Sequence, residues 1–259
     1  MEQQDLILET HGWVTHIIIN RPPHNYTDIK LMKSLAEVFS ELEKDLTKTR
    51  TIVLSSNGKS FSAGANFSQG GVGGTGDFEK DTREFYNYAA QVIKCKLPIV
   101  CAVQGAAIGA GLGLVMSCDF RICSQRAYFW APFVHLGIHP GFALTSLLPN
   151  LLGLNNAAEI LLTGEKINAQ KALSLGIVKE IVDEANLLNH CLEFGQKIAS
   201  GAPLALVETK ATLRKKIFDE LDNTLNHELT KQAALFKTKD ALIGITASLK
   251  KEKPTFSAS

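Results

Sequence analysis

Two short stretches of small residues carry the clearest chemical signal in this chain. "SAGANF" (residues 62–67) and "GAAIGAGLG" (residues 105–113) each follow an apolar, β-branched run that reads as a strand. Small side chains let a ligand come close to the main chain, and a strand that opens into a loop or a helix start leaves N–H groups unpaired. Two such donors aimed at one oxygen would stabilise the negative charge that builds when a carbonyl is polarised. Taken alone, either stretch reads first as a tight turn or as close helix–strand packing. Neither has the Lys-Ser/Thr pair of a phosphate loop.

These loops need elements to hold them. "DLILETHGWVTHIIIN" alternates about His11 and Gly12 and reads as a hairpin, ended by the turn residues "RPPHN". Asp28 is placed to cap a helix that carries Leu31, Leu35, Val38 and Leu42 on one face. Residues 51–56, "TIVLSS", read as a buried strand. The five glycines in residues 68–78 cannot hold a regular element cheaply, which leaves a flap over a site or a solvent loop. A strand followed by a glycine-rich helix start recurs further on, the pattern of an α/β architecture. Asn168 caps a later helix, Gly164 and Gly176 act as stops, and residues 184–251 are mainly helical with a break at residues 201–203. That break divides an α/β body, residues 1–200, from a C-terminal helical region, residues 201–259.

With 259 residues, 45% hydrophobic and 20% charged, the chain is long enough to bury one sizeable core. The 27 Lys and Arg nearly balance 26 Asp and Glu, so no whole-molecule field favours nucleic acid or an anionic membrane. Any anionic partner must be held locally. Cys95, Cys101, Cys118, Cys123 and Cys191 lack metal-ligand spacing and read as reduced packing residues of a cytoplasmic protein, with no metal site. No apolar run reaches the ~18 residues of a membrane span.

In order along the chain, these segments resemble the crotonase (enoyl-CoA hydratase/isomerase) superfamily. "NRPPHN" is similar to its "NRP" loop, "FSAGANF" to its "F-C-A-G-A-D" segment, and "KLPIVCAVQGAAIGAGLG" to its strand-and-helix signature. "FVHLGIHPG", "AAEILLTGEKINAQKALSLGIVKEIV" and "FKTKDALIGITASLKKEKPTF" are similar to its later segments, so the resemblance spans nearly the whole chain. It implies a spiral of β-β-α repeats with a C-terminal helical trimerisation region, assembled as a homotrimer or dimer of trimers. It also implies an acyl-CoA substrate, with CoA arriving as part of that substrate and no permanently bound cofactor. The oxyanion hole would be the backbone N–H groups of Ala65 and Ala110. Ala63, Asn66, Phe67 and Ser68 would line the adenine and pantetheine path, and Trp130 and Gly141 the acyl pocket. Asn66 replaces the family's usual Asp and Ala110 its usual Gly, and neither change removes a backbone donor.

The same resemblance implies that the usual acid and base are missing. Hydration of a conjugated double bond needs one group to activate water and another to deliver a proton. The two glutamates that share this work align with Gly113 and Phe133, and the single glutamate of the peroxisomal-type isomerases aligns with Gly141. His139 is the nearest substitute, since an imidazole titrates near neutral pH. Asp77, Glu79, Asp81 and Glu84 flank the glycine-rich segment and read first as solvated or capping residues, and Asp119 reads as structural. Lys250, Lys251 and Lys253 end a segment that the family packs near a neighbouring subunit's site, where a cation can meet CoA phosphates. Three outcomes are open: an enoyl-CoA hydratase or isomerase, a non-catalytic acyl-CoA-binding member, or an enolate-chemistry enzyme such as a decarboxylase with a non-glutamate acid.

Overall fold

The computed structural model describes residues 5–259. Strands β1 (Leu6–His11) and β2 (Val14–Ile19) pair antiparallel, Leu6 opposite Ile19 and His11 opposite Val14, with Gly12 at φ +59° making the turn. Helix α1 (Ile29–Leu42) starts where the Asp28 carboxylate accepts from the Leu31 N–H at 2.8 Å, and it buries Leu31, Leu35 and Phe39. Strand β3 (Thr51–Ser56), helix α2 (Phe78–Ile93), strands β4 (Ile99–Val103) and β5 (Ala106–Ile108) and helix α3 (Ala110–Ser117) follow. Next come β6 (Phe120–Ser124), β7 (Tyr128–Trp130), α4 (Leu144–Leu152), α5 (Leu154–Thr163), β8 (Lys166–Asn168), α6 (Ala169–Ser174) and β9 (Glu180–Val182). The chain ends in α7 (Leu187–Ala199), α8 (Pro203–Leu235) and α9 (Lys239–Lys250).

The repeat is visible in how strands are shared between two sheets. One sheet has the order β1-β2-β3-β4-β6-β9, parallel from β2 onward, and the other β5-β7-β8. After β3 the chain crosses to the second sheet at Ser62, which bridges Ala107, and continues into α2. After β4 it crosses as β5 and continues into α3, and after β6 it crosses as β7. Each turn is therefore strand, strand, helix, which is the expected spiral. The glycine-rich segment after β4 differs from its sequence reading in one respect. Residues 106–108 form a strand before the helix, because they pair with Tyr128, Phe129 and Trp130.

Alternating residues of the large sheet face two cores. Val53, Val100, Ala102 and Ile122 pack with Leu187 and Cys191 of α7, whereas Ile52, Leu54, Ile99, Cys101 and Val103 join the main core. With both faces covered, β4 is buried at every position, as parallel strands usually are. Leu221, Leu225 and Leu229 of α8 and Ala241 of α9 enter the main core too. All five cysteines are buried and free, matching the packing role read from the sequence. No helix among the described residues is long and apolar enough to cross a membrane.

Candidate active site

The two small-residue stretches meet. The Ser62 N–H donates to Ala106 O at 2.9 Å and the Ile108 N–H to Ser62 O at 3.0 Å, so the loop after β3 is stitched to β5. Gly64, at φ +79°, has no room for a side chain, since a Cβ there would lie 2.5 Å from Ile108 O and 3.5 Å from Ala110 N. A Cβ on Gly111 would likewise stand 2.6 Å from Ser62 Cβ, so glycine lets the start of α3 press against this loop. The N–H groups of Ala65 and Ala110 donate to no protein acceptor among the described residues. Ala110 is the first residue of α3, where a helix has no internal acceptor for its N–H and the macrodipole is positive.

Both alanines open onto a cavity of about 260 Å³. Ala63, Asn66, Phe67, Trp130, Phe133 and Gly141 line it as well. Its walls are aromatic and apolar: Phe78 of α2 stacks on Phe236, just past α8, with ring centres 3.8 Å apart, and Ile245 and Leu249 of α9 close another side. No carboxylate, imidazole, ammonium or guanidinium lines the cavity among the described residues. Trp130 is fixed by its indole N–H, which donates to Gly164 O at 2.6 Å, and its carbonyl accepts from the Gly109 N–H at 2.9 Å.

Of the expected catalytic and substrate-binding residues, Ser68, Gly113 and His139 do not line the cavity. Ser68 is exposed, its hydroxyl donating to Asn66 Oδ1 at 2.7 Å. Gly113 is buried against Phe142. His139 is half-buried, with Nδ1 2.7 Å from Pro140 O and its ring 6.1 Å from that of His227, and burial holds its pKa below the ordinary histidine value. The glycine-rich segment is fastened at its far end. The buried Asp81 carboxylate accepts from the Thr75 N–H at 2.9 Å and the Thr75 hydroxyl at 2.5 Å, and the Ile29 N–H donates to Val72 O at 2.9 Å. Asp77 caps α2 through the Lys80 N–H at 3.0 Å, and Asp119 is structural, bonded to the Ile99 N–H, Lys210 and Arg214.

The family described as enoyl-CoA hydratase/isomerase matches residues 9–259. The chain belongs to the enoyl-CoA hydratase/isomerase family. It is 33% identical to the short-chain-enoyl-CoA hydratase of Clostridium acetobutylicum over 98% of this chain and 97% of that one. It is 32% identical to the crotonyl-CoA hydratase of Syntrophomonas wolfei over 99% of each. An enoyl-CoA hydratase/isomerase structure from Pseudoalteromonas atlantica superposes with a TM-score of 0.86 at 27% identity, covering 98% of this chain and 100% of that one.

In this family member the space beside Gly113 is taken. A Cβ there would lie 2.5 Å from Cβ, Cγ and Cδ1 of Phe142, so that ring occupies the room a longer side chain would need. Phe142 and Ala143 both have left-handed backbones, φ +60° and +56°, which costs energy for residues with a Cβ. A buried network holds them. The Phe142 N–H donates to Tyr86 Oη at 3.2 Å, and Tyr86 donates to Gln232 Oε1 at 2.9 Å. The Ala143 N–H donates to Glu228 Oε2 at 2.7 Å, while the Thr145 N–H and hydroxyl donate to Glu228 Oε1 at 3.1 and 2.6 Å. Glu228 is fully buried, and that burial pushes its carboxyl up to about 7 despite three donors. The sequence reading passes over Tyr86, Glu228 and Gln232. The available signal is that Glu228 and Gln232 fall among the buried positions Leu221, Leu225 and Leu229 of one helix, where polar residues need partners.

Helix α9 lines its own chain's cavity, and the tail folds back so that the Ser257 and Ala258 N–H groups donate to Asp240 at 2.7 and 2.9 Å. Lys250, Lys251 and Lys253 are exposed.

Proposed function

We propose that this chain binds an acyl-CoA thioester and polarises its carbonyl between the N–H groups of Ala65 and Ala110. The observation that carries this reading is the pair of unpaired donors on two touching loops at one largely apolar, aromatic cavity. Donors fixed before the substrate arrives stabilise charge without reorganising, and a single one is worth about 10²–10³ in rate. The relatives named as hydratases of short acyl-CoAs support the substrate class. In this reading Ala63, Asn66 and Phe67 flank the thioester arm, while Trp130 and Phe133 dry the acyl end.

In this reading the chain lacks the proton-transfer glutamates that the family resemblance implies. Gly113 and Phe133 offer no transferable proton, His139 lies outside the cavity, and among the described residues its lining holds the phenols of Tyr26 and Tyr86 but no carboxyl, imidazole or ammonium group. Ordinary hydration of an enoyl thioester is therefore slow in this proposal. That absence favours a second reading, in which the protein holds acyl-CoA without turning it over or runs a reaction whose carbanion comes from the substrate itself. When a carboxylate is lost as CO2, the electron pair of the breaking C–C bond passes into the enolate, and a proton from water completes the product. Only the carbonyl oxygen then needs the protein. We further propose, from the family resemblance, a cytoplasmic homotrimer or dimer of trimers.

Crotonyl-CoA tests both parts. Thermal stabilisation by crotonyl-CoA, with loss of its conjugated absorbance far below the common range of about 1–10³ s⁻¹, is expected. Turnover within that range would overturn the proton-transfer part, and no stabilisation by any acyl-CoA would overturn the substrate class.

A further inference from the structure

Helices α2 and α8 give the cavity two unlike ends. Phe78, Thr82 and Tyr86 of α2, at i, i+4 and i+8, all line it, as do Gln232 of α8 and Phe236 just beyond its end. Phe78 stacks on Phe236, and Tyr86 hydrogen-bonds Gln232, so the polar pair lies about 12 Å along α2 from the aromatic pair. The rest of the polar end is set by Gly141. A Cβ there would run into Tyr86 Oη and lie 2.6 Å from Gln232 Nε2, so phenol and carboxamide fill the space a side chain from residue 141 would enter.

These groups are not saturated by one another. The Gln232 carboxamide uses one N–H on His139 O at 2.8 Å and one lone pair on Tyr86, leaving a donor and an acceptor site. Thr82 is 3% exposed, and its hydroxyl is buried without a hydrogen-bond partner among the described residues, which is costly in an apolar wall. No cation lines the cavity, so a carboxylate would find no counter-charge there. A neutral group that both donates and accepts is the match.

We propose that Tyr86, Gln232 and Thr82 form a socket for a hydroxyl carried on the acyl chain beyond its β carbon, so that the preferred ligand is a distally hydroxylated acyl-CoA and not a plain hydrocarbon thioester. This rests on the acyl-CoA reading above. The hydroxyl accepts from the free Gln232 N–H and donates to a remaining oxygen lone pair of the socket.

The test is calorimetric titration of the full-length protein with medium-chain acyl-CoAs of one length, either unsubstituted or hydroxylated mid-chain or at the terminal carbon. One hydroxylated isomer is expected to bind about tenfold tighter than the plain chain, the effect of one net hydrogen bond. Tyr86→Phe and Gln232→Leu are expected to erase that preference. A merely structural role for the pair would weaken all ligands equally and keep the ratio, which would overturn the proposal. Equal binding of all isomers by the wild-type protein would overturn it without any variant. Loss of binding to every acyl-CoA would instead remove the substrate class on which it rests.

Discussion

The two ends of one cavity are built on different principles. At the alanine end the working groups are main-chain N–H donors, set by glycines at positions 64 and 111 that let a loop and a helix start touch. At the Tyr86 end they are side chains from α2 and α8 gathered around a strained turn at Phe142 and Ala143. Backbone donors cost the sequence only small residues in a local pattern. Side-chain networks need partners brought from more than a hundred residues away, and each is exposed to the failure of any other member.

The sharpest way to break that comparison is to delete a backbone donor. Ala110→Pro removes the N–H at the first helical position, where proline is well tolerated, and should keep the fold. A loss of about 10²–10³ in kcat is expected on whichever thioester turns over. An unchanged rate would show that this donor is not used.

A smaller effect is expected from adding a carboxylate at Gly113, where the resemblance implies a glutamate. Gly113→Glu must displace the Phe142 ring, and overpacking of this kind costs about 1–3 kcal/mol. Chemical denaturation should show that loss with no gain of crotonyl-CoA hydration. Retained stability would mean that the ring yields freely, and a gain of hydration that Gly113 alone blocks the reaction.

The Tyr86 end is probed through Glu228. Glu228→Gln places an amide N–H₂ against main-chain and hydroxyl donors and should cost about 1–3 kcal/mol. The pH profile gives a second readout. The native carboxyl is raised to about 7 from 4.5, so the folded state holds more protons than the unfolded state between those values. Stability from this group is present below about 4.5 and declines as pH rises to about 7, by at most about 1.4 kcal/mol per unit. Denaturation midpoints of the wild-type protein across that window should fall with pH more steeply than those of Glu228→Gln. Parallel profiles would contradict the raised carboxyl.

What could be read from the sequence follows the same division. The hairpin turn at Gly12, the caps at Asp28 and Asn168 and the stop at Gly164 are set within a few residues and are found where the local pattern places them. The meeting of residues 62–67 with residues 105–113 was legible only through the ordered resemblance. Strand β5 was hidden because three residues, Ala106 to Ile108, become a strand only by pairing with β7. Glu228 looked like one more charge on a long helix, and its burial depends on the left-handed turn it bonds, which no spacing announces. His139 carried a plausible chemistry, yet its ring faces His227 and Pro140, and only its carbonyl reaches the network through Gln232.

The most direct test of the proposed carbonyl polarisation is isotope-edited infrared spectroscopy of a bound acyl-CoA labelled at the thioester carbonyl. Two aimed N–H donors weaken that bond, so its stretch should move to lower frequency on binding, and Ala110→Pro should reverse part of the move. A stretch that stays at its value in an apolar solvent would contradict a hole formed by Ala65 and Ala110.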